Sequence, residues 1–146
     1  MKKILSTIFP AGLMVMLIAC HSDEAESAYE KNVNAITSVA WTHPSVTNSA
    51  DGDLSANYAD FAILFTKQEA NGFAGTFVVS NGGYAFTEVT GRWKFNDALT
   101  ELQFDSGKTM TFTVDENHLS LDFTVAPPTG GRTDGLSGHF VFAFTK

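Results

Sequence analysis

The chain predicts an all-β fold: an antiparallel up-and-down meander of about eight strands closing into a barrel, with a two-sheet β-sandwich as the alternative. Three observations carry this. Apolar and polar residues alternate with a period of two through most of the chain beyond Thr37, the pattern of half-buried strands. Turn-forming residues interrupt that alternation at short intervals, and the domain has no helical period of useful length. Closing the sheet removes the exposed edges that an open one would leave. The mostly short connections after Phe73 favour a meander over Greek-key crossings.

Each element has its own signal. Thr37 to Thr42 makes the first strand, around Val39 and Trp41, and 46–57 reads as a polar loop. Phe61 to Phe65 follows, with Phe61, Ile63 and Phe65 on one face. Phe73, Gly75, Phe77 and Val79 alternate with Ala74, Thr76 and Val78, and Asn81, Gly82 and Gly83 then supply positive-φ residues for a tight reversal. In Ala85 to Phe95, a face of Val89, Gly91, Trp93 and Phe95 opposes a wet face of Glu88, Thr90, Arg92 and Lys94. Turns at Asn96 and Asp97, at Asp105 to Gly107 and at Asp115 to Asn117 separate the next strands. There Met110, Phe112 and Val114 alternate with threonines, and Leu119, Leu121, Phe123 and Val125 alternate with His118, Ser120, Asp122 and Thr124. A longer loop, Pro127 to Gly138, leads into a last strand with Phe140, Phe142 and Phe144 on one side.

The chain ahead of the domain divides in two. Residues 1–19 have the cationic start (Lys2, Lys3), the apolar stretch (Leu13 to Ala19) and the small final residue of a secretion signal. A spanning helix needs about 20 apolar residues, which this run does not reach. Cys20, the only cysteine, follows Leu17, Ile18 and Ala19 directly. This quartet resembles the lipobox of bacterial lipoproteins, which implies cleavage before Cys20 and acylation of it. Each buried methylene contributes about 0.8 kcal/mol, so two or more acyl chains hold a protein stably on a membrane. His21 replaces the aspartate that can retain lipoproteins at an inner membrane, and Ser22, Asp23 and Glu24 resemble a surface-export signal. The expected location is the outer membrane, lipid-anchored and surface-exposed, with a periplasm-facing anchor as the alternative. Residues 20–36 read as an acidic tether, frayed helix or coil, that lifts the domain off the bilayer. Residues 37–146 read as the barrel domain.

Charge narrows the partners. The chain holds 9 basic and 16 acidic residues, and loss of Lys2 and Lys3 leaves 7 against 16, a balance of −9. No basic stripe is present to neutralise phosphates, so nucleic acid is not an expected partner. With Cys20 alone, no intramolecular disulfide can form and stability must come from a core. The roughly 110 residues of the domain suit one such core.

Asn81, Gly82 and Gly83, the run Gly91-Arg92-Trp93-Lys94-Phe95, and Thr129 to Arg132 leading to Gly135, Leu136, Ser137, Gly138 and Phe140 carry a family likeness. From Trp41 to Lys146 the chain resembles small lipocalin-like lipoproteins of Gram-negative gut and environmental bacteria, similar in fold to the calycins. The resemblance implies a barrel of about eight antiparallel strands and no defined activity. In typical lipocalins the Gly-x-Trp element lies on the first strand, whereas Gly91 and Trp93 lie in mid-domain here. Only the architecture is therefore carried over, not a ligand.

Residues able to do chemistry are few. His43, His118 and His139 lack the spacing of a zinc site. Asp51, Gly52 and Asp53 resemble the start of a calcium loop, but its twelfth position holds Ala62 instead of a bidentate Glu, so they read as a solvated turn. Ser137 has His139 and Asp134 close in sequence without the Gly-x-Ser-x-Gly elbow of a hydrolase. Asp122 with Glu88 or Glu101 offers carboxylates for glycoside chemistry, a role that exposed acidic strand positions rarely have. Gly130, Gly131 and Arg132 lack the lysine and the helix of a phosphate loop. No catalytic residue, metal or cofactor is expected.

The aromatic set points elsewhere. Trp93, Phe95, Phe112, Phe123, Phe140, Phe142 and Phe144 face one side if the registers hold, and a barrel of this size either fills its interior or keeps a small cavity. With a cavity, these residues line a site for a small hydrophobic or amphipathic ligand, with the Pro127 to Gly138 loop near its mouth. With a solid barrel, the domain is a non-enzymatic structural or interaction protein that docks through its loops or outer face onto an envelope component or a host glycan.

Overall fold

Alternation of period two becomes strand wherever the apolar positions can share one face. The computed structural model describes residues 26–127 and 137–146. Within them β1 (Ala40–Thr42), β2 (Ser45–Asn48), β3 (Gly52–Asp53), β4 (Ala62–Ala70), β5 (Phe73–Ser80), β6 (Thr90–Phe95), β7 (Glu101–Phe104), β8 (Thr109–Val114), β9 (His118–Val125) and β10 (Gly138–Thr145) form a single antiparallel sheet. Its order is β1-β4-β5-β6-β7-β8-β9-β10-β2-β3. The sheet curls into a half-barrel, the all-β, barrel-like fold that the alternation predicts, with seven consecutive strands as a meander. Residues 1–25, Cys20 among them, and 128–136, which are most of the Pro127 to Gly138 loop and include Gly130 to Arg132 and Asp134, lie outside the described residues.

The two flanks of the meander meet through one bent stretch. β1 pairs with β4 and β2 with β10, yet only His43 and Pro44 separate β1 from β2. His43 takes φ 51, a left-handed conformation that turns the strand. The Trp41 ring of β1 consequently reaches Phe144 of β10, 6.3 Å between centroids. One stretch therefore covers both flanks, where an exposed edge would invite pairing with other chains.

Besides β1, which begins only at Ala40 and leaves Val39 exposed, two segments of the domain differ from the expectation. The predicted loop 46–57 holds β2, β3 and a 3-10 turn, Ser55–Tyr58. Val46 and Asn48 face inward while Ser45 and Thr47 face out, so the alternation is present but spelled largely in polar residues. The predicted strand Ala85 to Phe95 begins only at Thr90. Asn81 and Gly83 do adopt positive φ, but residues 81–89 form a long connection that folds inward instead of a tight reversal. Gly82 permits this: a Cβ there would sit 2.4 Å from the Phe86 carbonyl, and Phe86 N–H donates to the Gly82 carbonyl at 3.0 Å. Val89, expected on the packed face, is exposed.

The segment read as the end of a tether forms α1 (Ala28–Ile36). Ser27 and Glu30 cap it reciprocally: Ser27 Oγ accepts from Glu30 N–H at 3.2 Å, and the Glu30 carboxylate accepts from Ser27 N–H at 3.1 Å. Val33 and Ile36 are buried in the same core as the strands, and Trp41 Nε1 donates to the Ile36 carbonyl at 2.9 Å. Isolated helices this short are marginal in water, so packing on the sheet accounts for this one. The meander then defines two ends. α1, the β4–β5, β6–β7 and β8–β9 turns and Lys146 gather at one, while the β5–β6 and β7–β8 connections, the end of β9 and the start of β10 lie at the other.

Candidate functional site

Trp93, Phe95, Phe112, Phe123, Phe140, Phe142 and Phe144 all point inward, none more than 7% exposed. They fall into two groups. Phe95 lies edge-on to Trp93 at 5.2 Å and stacks on Phe112 at 4.6 Å. Phe142 stacks between Phe123, at 5.7 Å, and Phe144, at 6.5 Å. Side chains that border a chamber wide enough for water retain accessible surface, and Trp93, Phe140 and Phe142 retain 0%. Those three rings are enclosed by their neighbours, while Phe95, Phe112 and Phe123 keep 7%, 5% and 4%. Phe61, Phe65, Phe77 and Phe104 point into the same core, with Phe77 and Phe104 stacked at 3.9 Å.

The end opposite α1 is plugged from above. The 81–89 connection inserts Ala85 and Phe86, and the Phe86 ring lies 5.1 Å from Phe61, 4.9 Å from Phe123 and 5.3 Å from Phe142. Lys108, just ahead of β8, secures this plug. Its Nζ donates to the Ala85 carbonyl at 2.6 Å and sits 4.3 Å and 4.4 Å from the centres of Phe86 and Phe123. The Glu88 carboxylate is 3.6 Å away and accepts from Ser106 Oγ at 3.1 Å. Burial pushes the Lys108 pKa below the ordinary lysine value, an effect that the Glu88 charge opposes. Tyr58 packs edge-on to Phe142 at 4.9 Å beside the plug, and burial raises its phenol.

At the helix end a groove of about 610 Å³ opens between Tyr29, the β4–β5 turn and the residues from Lys94 to Asp97. Asn71 and Gly72, with φ 53 and 78, make that turn a two-residue reversal of the kind that suits strand twist. Tyr29 is 38% exposed and stands edge-on to Phe95 at 5.9 Å. Partial burial, then the charge of Glu69, raise its phenol above the usual range. Phe73 shares the groove, with the Arg92 guanidinium 4.5 Å and the Lys94 ammonium 5.7 Å from its ring centre. Glu69 and Asp97 bring negative charge to the same walls.

The remaining candidates stay apart. His118 pairs with Asp115 at 3.0 Å, His139 with Asp122 at 2.6 Å, and His43 with the Thr42 hydroxyl at 3.0 Å. Among the described residues no three metal-ligating side chains gather. Asp53 accepts from the Ser55 hydroxyl at 2.6 Å and its N–H at 2.9 Å, which lowers its carboxyl pKa and commits it to a turn. The acid beside His139 is Asp122, and the Ser137 carbonyl accepts from the Asn48 amide at 3.3 Å. Glu88, Glu101 and Asp122 each have a different partner: Ser106 and Lys108, Asn96, and His139.

Sequence reading missed Lys108 and Tyr29, because nothing local marks a lysine that will bend over two rings from other segments. Asn71-Gly72 at the groove rim was missed as well, although it is a strong hairpin signal that could have located the β4–β5 turn. No protein-family model matches the chain, and neither the curated proteins nor the solved structures contain a match to it.

Proposed function

We propose that this is a lipid-anchored envelope protein whose domain acts by docking through its outer surfaces, with a solid barrel and no catalytic chemistry. What carries this reading is the absence of accessible surface on the central rings, with Trp93, Phe140 and Phe142 at 0%. Cys20 supplies the anchor, and the outer membrane is the proposed location. Native mass spectrometry of the folded protein should detect no co-purifying apolar molecule, and recovery of one in stoichiometric amount would overturn the solid-barrel reading. Replacing Cys20 with serine should release the protein from membranes. Continued attachment of that variant would remove the anchor from the proposal.

A second reading is favoured by one observation. Phe86 fills the mouth from a connection containing Gly82 and Gly83, and its withdrawal would leave a space lined by Phe61, Phe123 and Phe142. A small hydrophobic or amphipathic ligand would then take the place of the ring. In that case Phe86→Ala should bind such a ligand more tightly than the wild type, because no side chain has to leave first.

A further inference from the structure

We propose that the groove at the helix end receives the zwitterionic headgroup of a phospholipid, a phosphate ester bearing a primary amine, from the membrane that anchors the chain. This rests on the reading that Cys20 is acylated. Only six residue steps separate Cys20 from Glu26, where the described chain begins. Even fully extended, those steps reach about 21 Å. Tyr29 is three residues further along and is itself a wall of the groove. The leash therefore delivers the helix end, and not the plugged end, to the bilayer surface.

The walls match that headgroup in chemistry. Glu69 and Asp97 are acceptors for an ammonium group, and the Tyr29 ring adds an aromatic surface that attracts cations. Lys94 lines the same groove and supplies the positive charge for a phosphate. Exposed tyrosine also suits the polar boundary of a bilayer, where an apolar ring and a wet hydroxyl are both accommodated. A purely anionic headgroup would leave Glu69 and Asp97 facing like charge, which is the basis for discriminating against it.

The test uses residues 20–146, which hold every described element, carrying Cys20→Ser so that no acyl chain takes part. The amide signals of Asn71, Gly72, Lys94 and Asp97 are followed by NMR while short-chain phosphatidylethanolamine is added below its micelle concentration. Expected are saturable shifts at these four residues, with affinity weakened about tenfold in Glu69→Gln and in Lys94→Gln, the change that loss of about 1.4 kcal/mol produces. Both side chains are exposed, so neither variant disturbs the core. Absent shifts, or equal shifts with phosphatidylglycerol, overturn the proposal. An equal response to phosphoethanolamine without acyl chains assigns the groove to a free solute and overturns the membrane occupant. The anchor is read separately, from the intact mass of wild-type protein extracted from membranes. An unmodified Cys20 removes the leash and with it the membrane occupant, whatever the titration shows.

Discussion

The Lys108 ammonium lies 4.3 Å from the centre of the Phe86 ring while donating to the Ala85 carbonyl. A residue at the start of β8 thereby pins the connection that closes the barrel mouth. Lys108→Met keeps the stem length and removes the charge, leaving the Ala85 carbonyl without this donor. We expect a loss of about 1–3 kcal/mol, read as a lower urea midpoint. The sign of the pH dependence follows from the lowered pKa in the folded state. Between that pKa and the higher unfolded one, the unfolded chain binds more protons, so stability contributed by this group rises with pH in the alkaline range. The methionine variant should lack that rise, and an identical alkaline slope in both proteins would show that Lys108 is as solvated folded as unfolded.

Ile36 separates a helix that belongs to the domain from one that merely spaces it. Its side chain is 0% exposed in the common core. Truncation to alanine should cost about 2–5 kcal/mol, the range for a buried aliphatic, whereas Lys31→Ala should stay within about 0.5 kcal/mol. Ser27→Ala, which opens the capping box, should cost about 1 kcal/mol. Thermal unfolding with equal midpoints for Ile36→Ala and wild type would return α1 to the tether.

Gly75 and Gly107 are both glycines for structural reasons, but different ones. A Cβ at Gly75 would lie 1.8 Å from the Thr66 carbonyl oxygen and 2.8 Å from Trp93 Nε1, so β4 and the indole would have to move. At Gly107 nothing lies within 4 Å, and only its φ of 92 resists a side chain. Gly107→Ala should therefore cost about 1–2 kcal/mol, and Gly75→Ala more than that or fail to fold. Similar denaturation midpoints for the two variants would contradict this packing.

Asp105 sets part of the acid limit. The Arg92 backbone N–H at 3.0 Å, then its guanidinium at 3.1 Å, hold the Asp105 carboxyl below the ordinary aspartate range. A depressed folded pKa means that the stabilisation is complete above the unfolded value and is lost as pH falls through the folded one. Asp105→Asn should consequently be less stable at neutral pH and show a shallower decline in acid, measured as urea midpoint against pH. Parallel acid limbs would exclude Asp105 as a contributor.

Much of this architecture was legible because its signals are local. Phe140, Phe142 and Phe144 alternate with less buried residues, and that alternation alone places them inside. The spacing of Tyr29, Val33 and Ile36 at i, i+4 and i+7 is a helical stripe, yet three apolar positions among acidic and polar neighbours resemble a tether until β8 and Trp41 are beside them. Val46 and Asn48 read as loop because half of an inward face is an asparagine, whose amide is satisfied by the Ala50 and Asp51 N–H groups and by the Ser137 carbonyl far along the chain. Phe86 gave no sign of turning inward, since its burial depends on Gly82 packing beneath it and Lys108 reaching over it.

By itself the sequence determined the strand class, the faces of most strands and, through Cys20 and the run before it, the expectation of a lipid anchor. Period-two alternation and a short apolar leader are properties of neighbouring residues and need no partner to be read. Only the tertiary structure decided that the aromatic interior is filled, that one end is plugged by Phe86 and that the other carries a groove beside Tyr29. Those outcomes depend on which side chains from distant strands reach the same volume, and volume is shared only once the sheet has curled.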